Sequence, residues 1–85
     1  MIVFDGNHRK EPTIDFFNRL VDIATSETVF IFDDIHWSKE MEEAWESIKA
    51  DKRVRVTIDL FIFGVVLFRN EMSRQHFVLR NRDSF

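Results

Sequence analysis

The five-residue pattern Phe-Asp-x-x-His occurs twice, as FDGNH from Phe4 to His8 and FDDIH from Phe32 to His36. Each copy closes a short run of apolar residues and precedes a helical pattern. Met1 to Phe4 and Thr28 to Phe32 are apolar without alternation, which suits strands buried on both faces rather than half-exposed ones. If these strands are parallel neighbours joined by the intervening helix, both patterns reach one carboxyl edge, the place where open α/β sheets hold their ligands. Asp5, His8, Asp33, Asp34 and His36 then converge there.

The helices are legible from their starts. Glu11 and Pro12 open the first, and Phe16, Phe17, Leu20, Val21, Ile23 and Ala24 form a broad apolar stripe, predicting a helix from about Pro12 to Ala24. Ser38 is the expected N-cap of the second. Glu40, Glu42 and Glu43 suit its positive end, and Met41, Ala44, Trp45 and Ile48 recur at helical spacing from Lys39 to about Ala50. Trp45 is read as core and the glutamates as a solvated face.

From Arg53 the period changes to two. Val54, Val56, Ile58 and Leu60 fall on one face, and Arg53, Arg55, Thr57 and Asp59 on a wetter one. Gly64 marks a turn or bulge before Val65 to Phe68, so Val54 to Phe68 is either one bent strand or two. After a polar connection, Gln75 to Arg80 is a last strand candidate. The order is β-α-β-α-β followed by one or two antiparallel strands. It predicts a partial Rossmann-like α/β sheet within a single domain. Right-handed crossovers put both helices on one face and leave the other face uncovered, so a homo-oligomer formed through that face is expected.

Composition narrows the function. Ten Phe and two Trp among 85 residues supply apolar area, while two Gly and one Pro leave room only for short connections. The net charge of -3 comes from dispersed residues and excludes the electrostatic footprint of a nucleic-acid binder. Only Arg69, Arg74, Arg80 and Arg82 show local enrichment, which is read as a solvated edge. Without cysteine there are no disulfides, thiolate metal sites or cysteine nucleophiles. No signal segment opens the chain, and Leu60 to Phe68 is too short to span a membrane. The expected location is cytoplasmic.

IVFDGNHRKEPTIDFFNRL followed by VFIFDDIHWSKEMEEAWESI resembles the C-terminal half of a class I S-adenosylmethionine-dependent methyltransferase. The likeness covers nearly the whole chain. In that family the fourth strand commonly ends in a pattern like F-x-D-G-x-H and the fifth in one like F-H-D or a-D-N, each followed by a helix. A sixth strand and an antiparallel seventh come next, similar to Val54 to Leu60 and Val65 to Phe68. The glycine-rich loop after the first strand and the acidic residue after the second, which hold the cofactor, have no counterpart. The resemblance therefore implies a segment that is inactive alone, its parent transferring a methyl group from S-adenosylmethionine to an oxygen or nitrogen of a small-molecule acceptor.

It also implies roles for particular residues. In the metal-dependent O-methyltransferases of this superfamily an Asp after strand four and an Asp-Asn pair after strand five hold a divalent cation, which here points to Asp5, Asp33 and Asp34. Three carboxylates suit Mg²⁺ or Ca²⁺. His8 and His36 are the candidate general bases, and Asn7 and Trp37 stand on the substrate side. Other readings remain open: the Asp and Asn residues are also ordinary turn formers and helix caps, and a histidine near a strand end is often structural. A small α/β interaction or oligomerisation module without catalysis is the alternative function.

Overall fold

A computed structural model of the chain describes residues 1–4 and 8–79. Along these residues run β1 (Ile2–Phe4), α1 (Lys10–Val21), β2 (Val29–Asp33), α2 (Lys39–Ala50), β3 (Val56–Asp59), β4 (Phe63–Leu67) and β5 (Gln75–Val78). The strands make one sheet in the order β1-β2-β4-β3-β5. β1 and β2 are parallel, and β4 is antiparallel to both β2 and β3. The fold is the α/β arrangement the patterning predicts, with a mixed sheet compatible with a partial Rossmann-like one. β5 departs from expectation by running parallel to β3. The connection from β4 passes the start of β3, where Arg55 donates to the Leu67 carbonyl and accepts from the Gln75 N–H, and rejoins the sheet on the far side. Arg80 and Arg82 lie outside the described residues.

Both helices pack on one face of the sheet. Phe17 and Val21 from α1, Trp45 and Ile48 from α2, and Phe30, Phe32 and Val66 from the strands share one buried cluster, closed by Val54 and Phe68. Aromatic rings fill much of it: Phe30 meets Phe68 at 4.8 Å between centroids, and Phe4 stacks on Phe32 at 4.2 Å. Helix α2 keeps its predicted bounds, and the Ser38 hydroxyl accepts from the Met41 N–H at 3.2 Å. Helix α1 begins earlier, at Lys10. Pro12 is tolerated inside its first turn, because N–H groups there have no intrahelical acceptor. The helix also ends earlier, at Val21 rather than Ala24, so Ile23 lies beyond it and is exposed, as is Phe16 on its outer side.

The period-two stretch divides into two strands joined by a tight hairpin. Arg53 falls before β3, where it pairs with Asp51 and Asp22 and lies over the Phe17 ring. At the hairpin tip the Ile62 N–H donates to the Leu60 carbonyl at 2.9 Å around Phe61, whose φ of 72° marks a rare, strained γ-turn. Gly64 is not the turn but a residue of β4 lying flat under Trp45. A Cβ there would stand 2.6 Å from two carbons of the indole.

The polar side of β3 is also reversed from expectation. Thr57 and Asp59 are buried on the helix-covered side, in register with Val66 and Gly64. Their hydrogen bonds permit this: Asp59 accepts from the Phe61 N–H at 2.8 Å, and the Thr57 hydroxyl meets His76 Nδ1 at 2.7 Å. The apolar side consequently faces away from the helices. There Val3, Ile31, Val65, Ile58 and Phe77 align across all five strands as one apolar row. Among the described residues no helix is long and apolar enough to cross a membrane.

Candidate functional site at the carboxyl edge

β1, β2 and β3 point the same way, so the connections after them emerge at one edge together with the hairpin that starts β4. Among the described residues, each of the three connections holds one non-glycine residue at positive φ: His8 at 58°, Asp34 at 58° and Phe61 at 72°. Asp and His enter this region more readily than most residues, and Phe does so rarely. Backbone strain of this kind collects at functional sites. The turns also bond to one another, since the Asp34 N–H donates to the Ile62 carbonyl at 2.8 Å.

The two copies of the repeated pattern meet through their side chains. His8 Nε2 lies 2.6 Å from Asp34 Oδ2, a short contact between a ring and a carboxylate that are both about 30% exposed. Trp37 stacks on the His8 ring at 4.7 Å with planes 19° apart and remains 66% exposed. Its backbone is held by donation to the Asp34 carbonyl at 2.9 Å. The dyad is partly hydrated, and an indole covers one side of its imidazole.

His36 is held differently. Its Nδ1 lies 2.8 Å from Glu42 Oε2 and its Nε2 lies 2.7 Å from Asp59 Oδ2, while the Phe61 ring stacks on it at 5.6 Å. Both ring nitrogens are engaged by carboxylates. The Asp59 side chain is only 8% exposed, so the imidazole ties the turn after β2 to the end of β3 and to the first turn of α2.

Of the residues expected at the site, His8, Asp34, His36 and Trp37 gather at this edge. Asp33 ends β2 opposite Phe63, on the side of the sheet away from the helices. Asp5 and Asn7 lie outside the described residues. Among the described residues no group of three or more carboxylates or imidazoles is placed to hold a metal ion. Sequence reasoning missed Asp59, Glu42 and Phe61. A signal for Asp59 was present, because Ile58-Asp59 closes an apolar run as Phe4-Asp5 and Phe32-Asp33 do, but the alternation had placed it on a wet face.

Comparison with known proteins identifies no relative: no family model matches the chain, and no curated protein or solved structure is similar to it. The class that fold and site define is an α/β protein with a mixed sheet and a histidine-carboxylate edge.

Proposed function

We propose that the chain forms the acceptor-side half of a methyltransferase-type sheet, with the two Phe-Asp-x-x-His turns as its working edge. The observation that carries this reading is the His8–Asp34 contact, which joins the two copies across neighbouring parallel strands. The antiparallel direction of β4, which resembles the seventh strand of such a sheet, supports it. S-adenosylmethionine would supply the electrophilic methyl group, and its binding segment is expected in a part of the fold that this chain lacks.

What the chain contributes is proton handling. With Nε2–H donating to Asp34, the imidazole is fixed in orientation and tautomer, and Nδ1 is the atom that takes a proton from an acceptor hydroxyl or amine. Trp37 shields one side of that ring from water. His36, bridged between Asp59 and Glu42, acts as a positioning residue that holds the connecting turn. No step is assigned to a cation, because the Asp34 carboxylate is engaged by His8 while Asp33 lies on the side of the sheet away from the helices.

Calorimetric titration with S-adenosylmethionine, and separately with Mg²⁺, tests the reading on the chain alone. Tight saturable binding of S-adenosylmethionine would contradict it. Joined to the cofactor-binding half of a small-molecule methyltransferase, the chain should support transfer, and His8→Gln should slow turnover by about 10²-fold or more while leaving cofactor binding intact. A separate observation, the uncovered apolar face, favours the second reading of an interaction module.

A further inference from the structure

The face of the sheet turned away from the helices carries a surface that two copies can share. Parallel strands are found almost exclusively with both faces covered, yet here one face of the β1–β2 pair has no element of the described chain over it. Four members of the apolar row crossing it, Val3, Ile31, Val65 and Ile58, are β-branched, and Phe77 ends the row. Val3 is 53% exposed and Phe77 42%, and beside the row Phe63 is 45% exposed and Leu79 54%.

Taking about 100 Å² for an aliphatic side chain and about 200 Å² for an aromatic one, these four exposed side chains present roughly 280 Å² of apolar surface. The half-buried Val29, Ile31, Ile58, Val65 and Leu67 add roughly 100 Å². A stable dimer needs about 800 Å² per partner, of which roughly 450 to 520 Å² is apolar. The face comes close to that requirement by itself.

We infer that a second copy of the chain covers this face, sheet against sheet, about a two-fold axis lying between them. A level row of β-branched side chains suits aligned sheet packing, in which the inner faces interdigitate about 10 Å apart. Charge agrees with self-pairing. Asp33 is the only charged side chain among the strand residues on this side, so no charge pattern selects a different partner. With the two-fold running across the strands, the carboxyl edge of one copy lies over the amino edge of the other, and the two Asp33 carboxylates stand at opposite ends. Both candidate His8–Asp34 sites then remain open at the rims of the dimer.

Sedimentation velocity on the full chain, from below micromolar to hundreds of micromolar, tests the pairing. The variants are Val3→Lys and Phe77→Lys, at opposite margins of the face, with Ile23→Lys as a control in the exposed turn just after α1. These positions are exposed, so the monomer fold should survive, which far-UV circular dichroism checks. The expected result is a dimer that both margin variants weaken by about tenfold or more and the control leaves unchanged, because each new lysine is buried without a partner. A wild-type monomer at every concentration would overturn the inference. So would a dimer sensitive to only one margin, which would indicate pairing through β5 or β1 at a sheet edge, and so would one indifferent to both.

Discussion

His8 and His36 close the same five-residue pattern, and the fold gives them different work. His8 leans one nitrogen on Asp34 at a partly hydrated rim and stacks under an exposed tryptophan. His36 has both nitrogens against carboxylates, one of them buried. The difference arises from what lies beside each strand. Among the described strands β1 lies at the edge with only β2 as neighbour, so His8 looks across to the next turn. β2 has a partner on each side, and His36 reaches over the β3–β4 hairpin to the inward carboxylate of Asp59. One local pattern thus yields a partly exposed ring with one carboxylate contact and a ring held between two carboxylates.

The comparison breaks if the two histidines matter equally for stability. Asp59→Ala should cost the most, about 3 kcal/mol in urea denaturation, because it removes a buried acceptor of His36 and of the Phe61 N–H. Its partner variant His36→Ala should cost about 2 kcal/mol by leaving that carboxylate without its imidazole. His8→Ala, at a contact about 30% exposed on both sides, should cost under about 1 kcal/mol. Equal losses at the two histidines would remove the distinction between them.

The third histidine sharpens it by pH. Burial, and then the positive charges of Lys49 and Arg74, hold the His76 imidazole below its ordinary value of 6.5. The unfolded chain therefore takes up that proton more readily than the folded one. This contribution to stability is present above 6.5 and is lost as the pH falls through the lowered folded value. A decline in the urea midpoint below 6.5 that His76→Gln reduces is the expected outcome; the effect is small because the ring lies on an exposed edge strand. Smallest of all, Trp37→Phe should barely change stability while removing the red-shifted part of the fluorescence, since Trp37 is 66% exposed and Trp45 only 2%.

What the sequence disclosed about this fold depended on whether neighbouring residues carried the information. Helix α2 was readable throughout because cap, first-turn acids and buried stripe agree from Ser38 to Ile48. β2 was readable as a strand from its apolar run, but the burial of both faces that such a run suggests is met only on the helix side, where Phe30 and Phe32 lie. β3 misled, because alternation reveals two faces without saying which is inside. There, burial of Thr57 and Asp59 depends on His76 and on His36 with the Phe61 N–H, contacts that only the folded chain supplies. Gly64 misled similarly: its flatness serves the Trp45 ring, a neighbour 19 positions away. The direction of β5 depends on a connection that passes the start of β3, which no local signal specifies. At the site, the convergence of the repeated turns was legible from the two copies, whereas the separate duties of their histidines were set by strand order.

His8 and Asp34 join the two repeated patterns, while His36 belongs to Asp59. Long-range ¹H–¹⁵N correlation spectra of the imidazole nitrogens test this directly in the wild type, Asp34→Asn and Asp59→Asn. Asn accepts the left-handed backbone at position 34, so that exchange removes the carboxylate without forcing the turn. Asp34→Asn should shift the His8 nitrogens and leave those of His36 in place, and Asp59→Asn should do the reverse. His8 nitrogens unmoved by Asp34→Asn would contradict that pairing.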